Sequence, residues 1–374
     1  MAPLFTSGDM LYVGGYGQAA EIPDADGAIR RLLELLDGTR TAEQAHADLA
    51  ADFPHVSLAD VREAIGTFDE AGFLLNDAVT SKGILSDYEL RRWERNVNFF
   101  GSYCRLADNQ YEWQRKLLDT RVTLLGLGGL GCHILLDMAA MGIGYVRVVE
   151  FDRVELSNLN RQILYRDSDI GQLKLDIAAA RVQEFNPRIK IDKIPRRIES
   201  TQDVLNAVAG ADAVISVADR PKMEINHWVN EGCVQAGVPL ITGGLDTQRA
   251  VYFTVIPGET GCVECWRSEV FKTDTVSATL LEQKRERQIG GDNAAFTPLV
   301  TLTTAFLLAE LVRVVTKLAP PAAAGRLIQY RFDDSSLGEY ERWERRQDCP
   351  VCGEQKVAAT QMAAARITDV AIDE

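Results

Sequence analysis

The fold of most of this chain is decided by one stretch of sequence, Arg121-Val-Thr-Leu-Leu-Gly-Leu-Gly-Gly-Leu-Gly131. Its first half is apolar and predicts a strand that ends at Gly126, and its second half has the glycine spacing that opens a helix. Glycine permits a tight turn, lets the backbone approach a phosphate and leaves the amides of a helix N-terminus aimed at the anion. The candidate nucleotide-binding glycines are Gly126, Gly128, Gly129 and Gly131.

Strands and helices alternate downstream of this turn. The second strand, Tyr145–Phe151, ends next to Asp152, where a ribose hydroxyl would be met. Three more apolar runs predict strands at Ala213–Val217, Leu240–Gly243 and Val251–Ile256. The alternation predicts an α/β fold, with a Rossmann-like, mostly parallel sheet and helices on both faces. It indicates a mononucleotide or dinucleotide site and does not separate ATP from NAD.

Two cations follow the second strand and favour ATP chemistry. Arg161 lies in Leu156-Ser-Asn-Leu-Asn-Arg-Gln162, and Lys174 ends the segment Asp169-Ile-Gly-Gln-Leu-Lys174. Attack on an α-phosphate builds negative charge on phosphate oxygens and on the departing pyrophosphate, and fixed cations stabilise both. A dehydrogenase has no such need. The alternatives are two surface cations paired with local carboxylates, and an NAD(P) oxidoreductase.

These motifs, in this order and at this spacing, resemble the ThiF/MoeB-type adenylyltransferases, relatives of the ubiquitin-activating enzymes. The resemblance covers about residues 90–355 and implies an enzyme that uses ATP and Mg²⁺ to activate a carboxylate as an acyl-adenylate. It implies that Gly128 and Gly129 lie against the phosphates and that Asp152 holds the ribose. Phosphate contacts are implied for three further side chains, Asn158, Arg161 and Lys174.

Two more positions follow from the resemblance, each beside a departure from the family's pattern. Asp219 matches the aspartate that serves Mg²⁺ and the reacting centre, although Ala218 and Arg220 depart from the usual Cys-Thr-Asp-Asn. Arg220 either reads a different acyl substrate or forms a salt bridge. Arg95 matches an arginine finger that reaches into the partner subunit's ATP site, which implies a homodimer, although Asn96 replaces the usual glutamine.

Four of the seven cysteines fall in two CxxC pairs. Each pair offers two thiolates at a spacing that one tetrahedral Zn²⁺ accepts, and the adjacent glycine or proline favours knuckle turns. The predicted zinc ligands are Cys262, Cys265, Cys349 and Cys352. Four protein ligands leave no open position, so the predicted zinc is structural. A redox-active CxxC and unpaired core cysteines are the alternatives.

The remaining cysteines do not predict a catalytic thiol. Cys132 and Cys233 lie on predicted helices near apolar residues and are interpreted as packed. Some relatives pass the acyl group to a cysteine in the crossover loop after the first zinc pair, but here that loop, Trp266–Phe296, contains none. The chemistry is therefore expected to stop at the adenylate or to use an external nucleophile.

The first residues predict a separate winged-helix module. A hairpin is predicted over Asp9–Pro23, and Thr41 supplies a capping box for one of the helices that follow. Three helices are predicted, at Ala28–Leu36, at Ala42–Ala51 and after Ser57. The segments Leu36–Gln44 and Asp69–Leu75 resemble the PqqD-like leader-peptide recognition domain of peptide-modifying enzymes. A winged helix used for dimerisation or packing is the alternative.

Composition and charge limit the partners. The chain of 374 residues is 46% hydrophobic and 25% charged, and its net charge of −14 argues against a general nucleic-acid binder. No apolar run reaches the roughly 18 residues of a membrane span, and the N-terminus lacks the basic and apolar regions of a signal peptide. We therefore expect a cytoplasmic protein with no nucleic-acid or membrane partner.

The predicted organisation has four parts: a winged-helix leader-recognition domain at 1–78, a helical connector carrying Arg95 at 79–120, an ATP-binding adenylation domain with the zinc site at 121–355, and a loose tail at 356–374. This combination is similar to microcin-type peptide adenylases. The leading hypothesis is adenylation of a carboxylate of a ribosomally made precursor peptide. One alternative is activation of the C-terminal glycine of a ubiquitin-like sulfur carrier; another is a non-catalytic leader-binding partner of a cyclodehydratase.

Overall fold

The computed structural model describes residues 3–15, 18–222, 224–246, 248–273, 276, 278–280, 283 and 294–353. The predicted tail at 356–374 and part of the crossover loop Trp266–Phe296 lie outside the described residues. The chain forms two compact units, Met1–Arg115 and Lys116–Glu374. The first unit contains the predicted winged-helix module and most of the predicted connector.

The first unit begins with a small antiparallel sheet. Its strands are β1 (Leu4–Ser7), β2 (Met10–Gly15) and β3 (Gln18–Pro23), in that order. The pairing of β2 with β3, which sets Val13 opposite Ala20, confirms the predicted hairpin. The sequence does not signal β1, because three of its four residues are exposed and no alternation of apolar and polar residues marks the strand.

Six helices follow. They are α1 (Ala28–Leu35), α2 (Ala42–Ala50), α3 (Leu58–Glu70), α4 (Asp87–Arg92), α5 (Glu94–Gly101) and α6 (Gln110–Asp119), the last of which contains the boundary between the units. The predicted capping box of α2 is confirmed: Gln44 N donates to Thr41 Oγ1, and Thr41 N donates to Gln44 Oε1. The sheet, α1 and α3 share one hydrophobic core, which contains Leu11, Leu33 and Phe68.

The second unit is built on an eight-stranded sheet. Its strands are β4 (Arg121–Leu125), β5 (Tyr145–Val149), β6 (Lys190–Ile194), β7 (Ala213–Ser216), β8 (Leu240–Asp246), β9 (Arg249–Val255), β10 (Arg326–Arg331) and β11 (Leu337–Arg342). They lie in the order β11-β10-β9-β8-β7-β4-β5-β6. Strands β4 to β8 are parallel, and β9, β10 and β11 are antiparallel. The predicted α/β fold with a mostly parallel sheet is confirmed.

All five predicted strands of this sheet are present, and three more were not predicted. In β6, Lys-Ile-Asp-Lys-Ile, charged and apolar residues mix at the edge of the sheet, so no apolar run marks it. Strands β10 and β11 form a hairpin at the other edge; β11 is mostly exposed, and β10 is mostly half-buried with an arginine at each end. Edge strands bury less surface than central ones, and their sequences signal them weakly.

In the described part of the second unit, these helices pack on the sheet: α7 (Gly129–Met141), α8 (Lys174–Phe185), α9 (Thr201–Val208), α10 (Ile225–Ala236), α11 (Val263–Thr273) and α12 (Thr297–Thr316). Helix α7 contacts α8 and α12, whereas α10 contacts α9 and α11. Among the described residues, α12 is the one helix long and apolar enough to cross a membrane. Half of its most apolar 18-residue window is buried, and it packs against β8, β9 and α7, as a core helix does.

The strand order reverses between β4 and β7. From β4 the chain continues to β5 and β6 on one side of the sheet, and it then returns to β7 and β8 on the other side. The carboxyl ends of β4 and β7 therefore border a crevice. Open α/β sheets bind their ligands in such crevices.

Candidate functional site

The glycine turn joins β4 to α7 at this crevice. Gly126 has a φ of 98°, in the left-handed region that favours glycine, and a Cβ on Gly131 would lie 2.0 Å from Gly126 O. Gly128 caps α7, and a Cβ placed on it would meet nothing within 4 Å. No side chain caps α7, so its first amides are available to an anion.

The predicted ribose acid and one predicted phosphate cation lie in contact. Lys174 begins α8 and is 5% exposed. Its Nζ lies 3.3 Å from Asp152 Oδ2, and its amide donates to Asp152 O at 3.0 Å. The Asp152 side chain is half exposed. The pair holds an ammonium group near the carboxyl end of β5 without leaving a buried charge unpaired.

The second predicted cation covers the glycine turn. A Cβ on Gly129 would lie 3.2 Å from Arg161 Cδ, so the aliphatic part of the arginine packs on this glycine. Arg161 Nη1 donates to Ser157 O at 3.0 Å and to Asn160 Oδ1 at 2.8 Å. The guanidinium is thus held by its own loop beside the amides of α7.

Two buried polar side chains fix the loop that carries Arg161. His133 Nε2, on α7, lies 3.3 Å from Arg161 O. Asn158 Oδ1 accepts a hydrogen bond from Glu155 N at 3.1 Å and closes a 3-10 turn. Asn158 is 7% exposed, so its predicted phosphate contact stays a prediction, whereas its contribution to the shape of the loop is direct.

The segment after β7 lies against the same turn. Val217 N donates to Leu125 O at 3.0 Å, and a Cβ on Gly126 would lie 3.1 Å from Ala218 N. Asp219 follows directly and is exposed, so it belongs to the loop that borders the crevice. Its assignment to Mg²⁺ stays a prediction.

Arg95 belongs to the first unit. It lies on α5 with an exposed side chain, while Val97 and Phe100 face the interior. The other predicted site residues belong to the second unit. The role of Arg95 as an arginine finger stays a prediction.

Sequence reasoning missed Glu150, the residue that follows β5. Its carboxylate is 7% exposed and accepts three backbone amides, from Leu127 in the glycine turn and from Phe151 and Asp152. An acid directly after an apolar strand, two residues before the predicted ribose acid, was the available signal.

The four predicted zinc ligands form one buried cluster. Their ligand atoms all lie within 4.8 Å of one another. Cys262 Sγ is 3.7 Å from Cys349 Sγ, and Cys265 Sγ is 3.4 Å from Cys352 Sγ. Zn–S bonds of about 2.3 Å in a tetrahedron separate the sulfurs by about 3.8 Å, so the cluster fits one structural Zn²⁺.

Backbone contacts support the same interpretation. Arg346 N lies 3.5 Å from Cys265 Sγ, and Val351 N lies 3.5 Å from Cys349 Sγ, so two amides point at sulfurs. A Cβ on Gly353 would lie 2.5 Å from Cys349 O, which requires glycine in the second knuckle. Amides directed at sulfur stabilise thiolates, the form that binds a metal.

Two other cysteines are packed, as expected from the sequence. Cys132 and Cys233 are fully buried. Burial raises the pKa of each thiol to about 12. Neither is therefore a nucleophile at neutral pH, since the thiolate is the reactive form.

Comparisons with known proteins agree with this geometry. The model of the ThiF family matches residues 100–351. The sulfur carrier protein adenylyltransferase of Thermus thermophilus is 31% identical over 249 residues, which cover 65% of this chain and 86% of that protein. The sulfur carrier protein ThiS adenylyltransferase of Escherichia coli is 30% identical over 278 residues, which cover 72% and 97%.

Solved structures extend the likeness of fold to nearly the whole chain. Escherichia coli MccB matches with a TM-score of 0.76 and 24% identity, covering 95% of each chain. The microcin C7 biosynthetic enzyme MccB in complex with N-formylated MccA matches with a TM-score of 0.71 and 24% identity, covering 94% of this chain and 98% of that one. The fold, the crevice and the matched family model lead to one conclusion: the chain belongs to the ThiF family and is an ATP-dependent adenylyltransferase.

Proposed function

We propose that this adenylyltransferase activates a carboxylate of a ribosomally made precursor peptide, which it binds through its first unit. The observation that carries the proposal is the share of this chain that each kind of relative matches. The two sulfur-carrier enzymes cover 65% and 72% of this chain, whereas the MccB fold covers 95%. The family model begins at residue 100, so most of the first unit needs a function of its own.

In the proposed reaction a carboxylate oxygen of the peptide attacks the α-phosphorus of ATP. The new acyl O–P bond forms as the bond to the β-phosphate breaks, and pyrophosphate leaves with that electron pair. The carboxylate is already ionised at pH 7, so no general base is needed. Arg161, Lys174 and the amides of α7 stabilise the charge that grows on the phosphates, and Asp152 holds the ribose.

Other parts of the chain complete the proposal. Asp219 holds Mg²⁺, and Arg95 reaches the ATP site of a second copy in a homodimer. The winged-helix domain at 1–78 recognises the leader of the peptide, and the connector at 79–120 carries Arg95. The four cysteines hold a structural Zn²⁺. The enzyme acts in the cytoplasm, on a peptide and without nucleic acid or membrane.

Pyrophosphate exchange into ATP tests the reaction. The substrate is the short precursor peptide expected to be encoded beside this gene. We expect exchange that depends on the peptide and falls at least about a hundredfold in Lys174→Ala, because a fixed cation at the phosphates is lost. Lys193→Ala is the matched control, since Lys193 pairs with Asp176 at an exposed position and should exchange within about twofold of wild type.

The role of the first unit needs a second substrate. A precursor peptide without its leader half should raise KM about tenfold or more while kcat changes little, because binding energy remote from the carboxylate is lost. An equal KM for the full and shortened peptides would contradict recognition through the leader.

The sulfur-carrier alternative is favoured by the two sulfur-carrier relatives and is separated in the same assay. A ubiquitin-like carrier ending in Gly-Gly replaces the peptide. If pyrophosphate exchange depends on the carrier and does not occur with the peptide, the proposal is wrong and the sulfur-carrier alternative takes its place. A chain that binds no ATP in calorimetry would instead favour the non-catalytic leader-binding partner.

A further inference from the structure

Two exposed aromatic rings adjoin each other in the second unit. Phe296 precedes α12 and is 63% exposed, and Phe332 follows β10 and is 50% exposed. Their ring centroids lie 6.4 Å apart with the planes at 82°, which is an edge-to-face pair. A single exposed apolar residue is normal on a protein surface, whereas adjoining large ones indicate a surface that binds something.

The direction of the strands sets Phe332 at the crevice edge of the sheet. Strand β9 is antiparallel to both β8 and β10, so β8 and β10 run in the same direction, as do β4 and β7. Arg249 pairs with Asp246 of β8 and with Arg331 of β10, so these two strands end at the same level. Phe332 follows at once, and its amide donates to Gln248 O at 3.0 Å. It is therefore held at the edge of the sheet that carries the glycine turn.

Hydrogen bonds connect the other ring to the loop of the predicted phosphate cation. Thr297, the neighbour of Phe296, donates from Oγ1 to Asn160 O. Asn160 Oδ1 in turn accepts from Arg161 Nη1 at 2.8 Å, and the aliphatic part of Arg161 packs on Gly129. The aromatic pair therefore adjoins the loop whose guanidinium lies beside the amides of α7.

The strand order separates the nucleoside from the acyl chain. Strand β5, which ends next to the predicted ribose acid Asp152, lies on one side of β4, whereas β7, β8 and β10 lie on the other side. A nucleoside held at Asp152 extends toward β5, so the side of β7, β8 and β10 is left for the acyl chain. Phe332 lies on that side.

The charges beside Phe332 select against an acidic group. Arg331 Nη2 lies 2.5 Å from Asp333 Oδ2, and Arg331 Nε lies 3.7 Å from Asp334 Oδ2. Two carboxylates thus face one guanidinium, and the turn has a net negative charge. An acidic side chain on the rings would meet like charge, whereas an apolar one gains by leaving water.

We propose that Phe296 and Phe332 select the acyl substrate: they contact a large apolar side chain on the residue whose α-carboxylate is adenylated. The proposal rests on the proposed attack of a peptide carboxylate on ATP and adds the class of the residue that carries this carboxylate. Rings at a right angle offer one face and one edge to an aliphatic or aromatic side chain. A terminal glycine has no side chain to bury there.

Aminoacyl sulfamoyl adenosines are the probes, because they are stable mimics of an aminoacyl-adenylate and need no peptide. Calorimetry measures the Kd of the leucyl, glycyl and glutamyl compounds, and of sulfamoyl adenosine without an acyl group, on the full-length protein. We expect the leucyl compound to bind at least about tenfold tighter than the glycyl compound, which is typical of an apolar side chain in a fitted pocket. The glutamyl compound should bind no tighter than the glycyl compound.

The variants Phe296→Ala and Phe332→Ala should each reduce the preference for leucyl over glycyl to within about threefold, while the Kd of sulfamoyl adenosine stays within about twofold of wild type. Phe185→Ala is the matched control and should keep the full preference. Phe185 is 49% exposed and ends α8, about 16 Å along the helix from Lys174. If one of the two variants does not fold, the other decides.

Equal affinities of the wild type for the leucyl and glycyl compounds would overturn the proposal. So would an unchanged preference in both variants, even if their midpoints of thermal unfolding fall, because the rings would then serve the fold and not the substrate. Since no precursor peptide is present, these outcomes are distinct from a failure of peptide-dependent pyrophosphate exchange.

Discussion

Within the second unit, the nucleotide crevice and the cysteine cluster differ in how accessible their polar groups are. At the crevice, Asp152 and Asp219 stay accessible and Lys174 is held by one half-exposed acid, so the charged groups can exchange partners with a ligand. In the cluster, all four sulfurs are buried at 5% exposure or less and lie within 4.8 Å of one another. The crevice keeps its charged groups accessible to a ligand, whereas the sulfurs of the cluster are buried against one another.

The difference separates catalytic from structural sites. A catalytic site must lose and regain ligands, so its loops are held through their backbone, as Glu150 holds Leu127 N and His133 holds Arg161 O. A four-thiolate site has no coordination position left and acts through the stability of the fold. Substitutions in the two regions should therefore give different combinations of lost activity and lost stability.

The largest effect is expected in the cluster. Cys349→Ser removes one thiolate, and we expect the zinc content to fall and the midpoint of thermal unfolding to drop by at least about 10 °C, because structural zinc supplies folding free energy directly. Elemental analysis and calorimetry measure both. Cys233→Ala, a buried cysteine outside the cluster, should keep its zinc; a zinc-free wild type of full stability would contradict the structural role.

At the crevice, activity should fall while stability remains. Arg161→Ala removes a guanidinium from the glycine turn, so pyrophosphate exchange should fall about a hundredfold with zinc content and unfolding midpoint close to wild type. Arg153→Ala is the control, because that side chain is exposed and donates to Gly171 O. An Arg161→Ala enzyme within threefold of wild type would remove this arginine from the phosphate site.

The cluster takes all its ligands from one chain, whereas the proposed ATP site takes Arg95 from a second copy. Arg95→Ala and Lys174→Ala should each be inactive alone. After the two variants have exchanged subunits, each mixed dimer contains one site with both residues. The rate of pyrophosphate exchange into ATP should therefore recover to roughly a quarter of wild type. No recovery from a mixture shown to have exchanged subunits would place Arg95 in its own chain's site or outside the mechanism.

At neutral pH the smallest effect belongs to the thiols outside both regions. Burial raises the pKa of Cys132 and Cys233 to about 12, above the ordinary value of 9.0. The folded state therefore holds these protons more tightly, and the stability they contribute is full below about pH 9 and is lost as pH rises from 9 toward 12. The free energy of unfolding should fall by up to about 1.4 kcal/mol per pH unit for each thiol.

Denaturant titrations at pH 8, 9.5 and 10.5 measure this slope. The Cys132→Ala/Cys233→Ala variant is the control and should show a shallower decline, although it is less stable throughout. Parallel slopes for the variant and wild type would mean that these two thiols ionise equally in the folded and unfolded chains.

The sequence by itself determined the parts of this protein that rest on local chemistry. The glycine spacing fixed the turn because Gly126 needs a positive φ and Gly131 has no room for a Cβ. The apolar runs predicted the five strands β4, β5, β7, β8 and β9, and the paired CxxC units predicted the cluster. Each of these signals lies within a few neighbouring residues.

Only the tertiary structure decided what depends on distant partners. The edge strand β6 and the hairpin of β10 and β11 owe their conformation to pairing with neighbours and not to an apolar pattern of their own. The contact of Lys174 with Asp152, and the carboxylate of Glu150 between two loops, require β4, β5 and α8 to be assembled first. A side chain that serves as hydrogen-bond acceptor for remote amides leaves no periodic trace in the sequence, because the geometry that selects it exists only in the folded chain.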